Sequence, residues 1–345
     1  MRPLTKAPTP STYAEPDLFF IIMMKSPQVN KTIQDIYDFF GTQNWLALEK
    51  KANRTPGEDL DLYDKQFYLD KLGDYYPEAR RDLIANLDEV CSYCGMPVRD
   101  DAHVEHTLPK SYFPAQVLLW NNFLLACRDC NSKKSNTPSG APNDTQTNYA
   151  WPHSTLQGNM ITYRLVSYTQ SQDKQSYRTP IIAGYVETGP LIRLIHKGEV
   201  SIVMPTREAP EVVISGVLNA NLAVMAFSNT PEAIGTVEYM LELNRYTYTK
   251  DVSDRRLIER TQAWIQAVDA VRNLYIVEGK ADAVRQAVLE QVADTIQATG
   301  FWSVWAMVFV VEAVHILPAD ARTLIKDYLL SKAFPGTSGT RLYFS

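Results

Sequence analysis

The stretch Cys91-Ser92-Tyr93-Cys94-Gly95, then Val104-Glu105-His106-Thr107-Leu108-Pro109-Lys110-Ser111, then Trp120-Asn121-Asn122-Phe123-Leu124-Leu125-Ala126-Cys127-Arg128-Asp129-Cys130-Asn131-Ser132-Lys133-Lys134 decides how this chain is read. It holds all four cysteines of a 345-residue sequence. Each Cys-x-x-Cys step, Cys91/Cys94 and Cys127/Cys130, places two thiolates on a tight turn. The second pair closes a tetrahedral shell of the kind that holds structural zinc. A redox or disulfide pair would need only one such step, and disulfides are uncommon in a cytosolic chain. The pattern predicts a core pinned by one zinc ion.

Outward from that core, composition narrows the class of protein. The sequence is 45% hydrophobic and 11% aromatic, which is the balance of a folded globular chain. A net charge of −5 and a pI near 5.6 exclude a protein coated in basic surface that grips nucleic acid along its whole length. Positive charge is local instead, with Arg128, Lys133 and Lys134 clustered beside the second cysteine pair. The longest apolar run, Phe301 to Val311, is broken by Ser303 and followed by Glu312 and His315. It falls short of the roughly 20 residues that span a bilayer, so a buried core helix and no membrane partner are expected. Met1 to Pro16 is proline-rich and polar where a signal peptide would carry an apolar core, which makes a cytoplasmic location the expectation.

Three regions follow from the patterning: 1–88, an N-terminal arm and helices; 89–157, the cysteine-bounded core; 158–345, a short β insertion followed by a helical domain. The fold class expected is α+β, mainly α. The first 15 or so residues read as a disordered arm. Leu18 to Met24 is apolar, and Ile33, Ile36, Tyr37 and Phe40 follow at helical spacing. A helix is expected over Glu78 to Val90, and Ser132 to Asn148 reads as a long loop. Ile161 to Tyr168, Ile181 to Val186 and Leu191 to Val203 read as strands, with Lys197-Gly198 as a hairpin turn. Beyond about Ser215 the reading is helical. Thr230-Pro231-Glu232 is a helix start. Leu257, Thr261, Trp264, Ile265, Val268, Val271 and Tyr275 trace one helical face, and Val284, Val288, Val292 and Ile296 another. Pro318 and Pro335-Gly336 bracket the last expected helix.

The ordered series of cysteine pair, acid-His step, proline, asparagine and second cysteine pair resembles the HNH endonuclease family of the ββα-metal class in its zinc-ribbon form, over about Cys91 to Asn136. The resemblance implies a β-hairpin carrying Glu105-His106, a loop carrying asparagine, and a helix opening near the second cysteine pair. It implies that His106 is the general base for phosphodiester hydrolysis, a task suited to imidazole near neutral pH. Glu105 and Asn122 match positions that bind the catalytic ion, and oxygen donors suit Mg²⁺ or Mn²⁺. Two departures stand out. Glu105 replaces the usual Asp, and Asn131 stands where many members carry the final His, which makes His153 a candidate substitute ligand. Arg128, Lys133 and Lys134 would contact backbone phosphates. His103, His196 and His315 read as surface or structural residues. DNA is the expected substrate, with RNA left open because the motif addresses the phosphodiester and not the sugar.

A second, shorter resemblance links Leu241-Glu242-Leu243-Asn244-Arg245 and Arg255-Arg256 to the segment trailing the nuclease core in HNH proteins of bacterial antiphage systems, retron-associated and Septu-type. It implies an effector controlled by a partner ATPase or sensor. The rival reading is a zinc ribbon that binds nucleic acid or protein without catalysis. A toxin-like nuclease fits less well, because the nuclease segment is central in the chain.

Overall fold

A computed structural model describes residues 6–11, 13, 76–113, 116–153, 161–169, 181–185, 201–203, 212–215, 221–245, 247–248 and 253–309. The expectations for Leu18–Met24, Ile33–Phe40, Lys197-Gly198, His196, His315, Pro318 and Pro335-Gly336 lie outside the described residues.

The central unit is small. A 3-10 turn, Tyr76–Ala79, leads into helix α1, Arg80–Leu87, which buries Leu83 and Leu87. The helix stops where Asp88 takes φ 67°, and Val90 leaves it to bridge Pro97. Strand β1, His103–His106, pairs antiparallel with β2, Phe123–Ala126, in the register His106↔Phe123 and Glu105↔Leu124. Helix α2, Arg128–Lys134, follows at once, with Cys127 as its N-cap. The hairpin strands, loop and helix stand in the order the motif implied, and α1 packs on β2.

The β region is larger than a short insertion. Strands β3 (Ile161–Thr169), β4 (Ile181–Tyr185), β5 (Ser201–Val203), β6 (Val212–Ser215) and β7 (Asn221–Ser228) form one antiparallel sheet in the order β4-β3-β7-β6-β5. β7 corrects the helical reading beyond Ser215. It is the middle strand and is covered on both faces: Leu222, Val224 and Ala226 join the main core, while Ala223 and Met225 pack with Val166 and Leu257. A strand buried on both sides has no polar alternate positions, so its run shows no period of two.

Helical structure then dominates. Helix α3, Pro231–Ile234, is capped by the Thr230 side chain and runs into a π-helical segment, Gly235–Met240. After the short pair β8 (Thr247–Tyr248) and β9 (Ser253–Asp254) come α4 (Arg256–Ile276), α5 (Asp282–Thr299) and α6 (Trp302–Met307). The apolar stripe of α4 is buried as expected up to Val271, but Tyr275 is 40% exposed. In α5 the inward face is Leu289, Val292, Ala293 and Ile296, and Val284 is exposed because the first turn projects past the packed region. Phe301 to Phe309 is buried apart from the half-buried Met307.

One cluster of buried side chains runs from Leu83 through Phe123, Trp151, Tyr163 and Val224 to Trp264 and Phe301. Part of the N-terminal arm docks on it, contrary to a disordered arm. Tyr13 is buried and donates to the Leu118 carbonyl at 2.9 Å, and Lys6 Nζ donates to the carbonyls of Trp120 and Phe123. Among the described residues no helix is long and apolar enough to cross a membrane.

Candidate active site and zinc centre

The four cysteine Sγ atoms lie within 4.8 Å of one another, all buried, with Cys94 and Cys127 3.8 Å apart. Tetrahedral coordination at a Zn–S distance of about 2.3 Å requires S···S edges of about 3.8 Å, so the donors fit zinc in chemistry and spacing. Backbone amides prepare them: Met96 N–H approaches Cys94 Sγ at 3.5 Å and Cys130 N–H approaches Cys127 Sγ at 3.4 Å. Cys127 also caps α2, where the helix N-terminus favours a thiolate. Burial, above all, pushes the Cys94 thiol well up, and its neighbours Cys130 and Cys91 push up Cys127. Four thiolates so placed need a cation among them. Arg256, fully buried, donates Nη1 to Cys130 Sγ at 3.5 Å and is anchored by Asp254 at 2.6 Å.

His106 closes β1. Its Nε2 lies 2.9 Å from the Val117 carbonyl, and a carbonyl can only accept, so Nε2 carries the proton and Nδ1 the lone pair. Tyr76 and Phe123 pack edge-on to the ring at 4.8 and 5.3 Å. Burial, with Lys110 and Lys134 nearby, lowers the pKa to about 4 against the Val117 bond, so the imidazole is neutral at pH 7.

Glu105 points to the other face of β1, toward α2. Its carboxylate is 2.7 Å from Lys134 Nζ, and the two side chains are 6% and 0% exposed. At this distance charge attraction holds the pair. Burial raises the Glu105 pKa and lowers that of Lys134, each opposed by the partner. Trp151 presents its ring 6.0 Å from the same ammonium. The buried hydroxyls of Tyr93 and Thr107 have no hydrogen-bond partner among the described residues.

The remaining motif residues take roles that the motif did not separate. Asn122 clamps a loop: Oδ1 accepts from Leu108 N–H at 2.7 Å, and Nδ2 donates to the Leu108 and Gln116 carbonyls at 3.0 and 2.9 Å. Oδ1 keeps a second lone pair, so the clamp occupies the amide without closing it to an ion. Asn131 fits better, since its side chain makes no hydrogen bond among the described residues and shares a helix face with Lys134 three positions on. Lys134 is turned inward, not outward toward a phosphate backbone. Lys133 is bound to Glu242 at 3.0 Å, and Arg128 alone of the three expected phosphate contacts is exposed. His153 packs by Trp151, is lowered to about 4 by burial and by Lys6, and belongs with Glu105 to no ligand cluster among the described residues. His103 pairs with Asp101 at the surface.

Sequence reasoning missed the supports: Val117, Tyr93, Trp151, Arg256 and Arg260. Arg256 had a visible signal in the Arg255-Arg256 step. Arg260, fully buried, bonds the carbonyls of Val224 and Leu243 and the Asn244 side chain, so the Leu241–Arg245 segment is an internal brace.

Comparison with known proteins bears on this site directly. The family model described as HNH endonuclease matches residues 91–137. The chain is 34% identical over 61 residues to the Septu protein PtuB of Bacillus thuringiensis, a match covering 17% of this chain and 24% of that relative. The match thus spans about a quarter of the curated relative. No solved structure matches. The paired cysteines, the strand-borne Glu105-His106 step, the Asn122 clamp and the capped helix all fall inside residues 91–137, the segment that is similar to the HNH endonuclease family.

Proposed function

We propose that the protein is a metal-dependent HNH endonuclease that hydrolyses phosphodiester bonds, in DNA rather than RNA, and that His106 is its general base. One observation carries this reading: the Nε2–Val117 contact leaves Nδ1 as the nitrogen able to take a proton, on an imidazole that is uncharged at neutral pH. Nδ1 would remove the proton of the attacking water as the new P–O bond forms. Glu105 and Asn131 would hold Mg²⁺ or Mn²⁺ through a carboxylate and an amide carbonyl, and the four thiolates would hold zinc, tying the hairpin to the helix. Held there, the divalent ion would supply Lewis-acid stabilisation of charge on the phosphate and the departing oxygen. Arg128, exposed beside the second cysteine pair, would contact a flanking phosphate.

The likeness to a Septu protein, together with the Leu241–Arg245 segment, supports a role in antiphage defence under the control of a partner such as an ATPase or sensor. An acidic chain with one exposed cation by the site suits a nuclease whose substrate is held by a partner.

The test is plasmid DNA and a matched RNA incubated with Mg²⁺ or Mn²⁺, wild type against His106→Ala, with folding checked by circular dichroism. Cleavage should require His106 and be lost by a factor of about 10²–10⁴ in the variant. Cleavage that survives the substitution removes the mechanism. The Glu105–Lys134 pair favours one second reading, a non-catalytic zinc ribbon whose acidic site is neutralised from within, and it predicts nucleic-acid binding without cleavage under every condition.

A further inference from the structure

We propose that Lys134 is the built-in cation of the active site: its ammonium occupies the Glu105 carboxylate in the free protein and yields it to a divalent ion only when drawn away. The inference rests on the reading of Glu105 as the seat of that ion. The ammonium lies 2.7 Å from Glu105 Oε1, wholly shielded from water, so a divalent ion taking the same buried carboxylate would meet an unscreened positive charge beside it. The position is fixed by the backbone as well as by the rotamer. Lys134 is four residues after the zinc ligand Cys130, so a helix that turns Cys130 inward must turn Lys134 inward too. Trp151 walls the other side of the ammonium and is itself held by its Nε1–H to the Gln146 carbonyl at 2.8 Å. Nearby, the hydroxyls of Tyr93 and Thr107, without a hydrogen-bond partner among the described residues, are polar atoms buried beside the Glu105-His106 step and suited to a hydrated ion.

The chemistry that opens the pair is a phosphodiester anion. It offers the ammonium a new acceptor in exchange for the carboxylate, which is then free to take the ion. The free protein should therefore bind Mn²⁺ weakly, and removing the ammonium should tighten binding.

The experiment is Mn²⁺ titration of the zinc-loaded full chain by calorimetry and electron paramagnetic resonance, without nucleic acid, for wild type, Lys134→Met, Glu105→Gln and the double variant. Lys134→Met should bind Mn²⁺ on the order of tenfold tighter, and adding Glu105→Gln should abolish the gain. Equal affinity in wild type and Lys134→Met, with Glu105→Gln abolishing both, overturns the Lys134 role and leaves the proposed function standing. Binding that never depends on Glu105 overturns both. If Lys134→Met fails to fold, Lys134→Gln replaces it in the same titration: tighter Mn²⁺ binding than wild type is expected, and affinity equal to wild type overturns the proposal.

Discussion

Asn122→Asp separates a loop clamp from an ion ligand, because the two roles respond to the change in opposite directions. Asp keeps an acceptor for the Leu108 N–H but replaces the Nδ2 donor with an oxygen facing the Leu108 and Gln116 carbonyls, now 3.0 and 2.9 Å away. Two hydrogen bonds go, at about 1 kcal/mol each, and two carbonyls beside a side chain 5% exposed lose their donor, at about 1 kcal/mol or more apiece. The expected loss is about 4 kcal/mol, which at roughly 2–4 °C per kcal/mol lowers the melting temperature by on the order of 10 °C. The damage also reaches the site, since this loop presents the Val117 carbonyl that holds His106. Thermal melts by circular dichroism measure the first effect. Mn²⁺ binding per folded molecule, held well below the melt, measures the second and should not rise. A variant that melts with the wild type and binds Mn²⁺ more tightly would falsify the clamp and return Asn122 to the ion.

Other expectations are more local. The His106 pKa is about 4 in the folded chain and near 6.5 in an unfolded one, so the unfolded chain takes up the proton first on acidification. The stabilisation from neutral His106 is thus full above pH 6.5 and lost as pH falls toward 4, by about 3 kcal/mol at most. His153 shifts the same way, so the contribution is read as the difference between wild type and His106→Gln in urea midpoints at pH 7 and pH 4.5. Cys127→Ser should lose zinc and the fold of the core together, and full zinc content with an unchanged melt would contradict it. Arg256→Met leaves the Asp254 carboxylate buried without its cation and should cost about 3–5 kcal/mol, with faster zinc loss to a chelator.

What could be seen in the sequence was what a local period or a strict spacing encodes. Cysteine spacing, the cap of α3 at Thr230 and the long α4 face all depend on neighbours in the chain, while the β1 strand ending in His106 came from the family resemblance. β7 could not be seen, because a strand enclosed on both faces looks like any apolar run. The docked arm was also hidden, since Tyr13 and Lys6 find partners at Leu118, Trp120 and Phe123, more than a hundred positions away. The inward turn of Lys134 was legible and overlooked: helical spacing ties it to Cys130, and charge alone suggested an outward face. Asn122 shows the harder limit, because an amide that binds an ion and one that staples a loop are the same letter.

The family match covers residues 91–137, yet the side chains around it argue that this segment does not stand alone. Gly95, at φ 85°, turns the first cysteine knuckle so that its carbonyl meets the Phe301 N–H at 2.6 Å, and a Cβ there would sit 3.2 Å from Phe301 Cα. Arg256 reaches Cys130 from α4, Lys133 bonds Glu242, and Thr236 exchanges hydrogen bonds with Ala150 at 2.7 and 3.0 Å. Tyr13 and Lys6 cover Trp120 from the arm. A fragment of residues 89–157 keeps all four thiolates but loses every one of these contacts, and it exposes Trp120 and Phe123, both fully buried in the whole chain. Such a fragment should bind zinc with four cysteine ligands, as the cobalt-substituted spectrum would report, while its near-ultraviolet dichroism is weak and its melt broad. A sharp melt matching the full chain would mean the nuclease segment is autonomous. It would then follow that the arm and the C-terminal helices serve regulation rather than support. Loss of the melt with zinc still bound would mean that the zinc centre organises only its own ligand turns, and that the placement of His106 depends on the whole molecule.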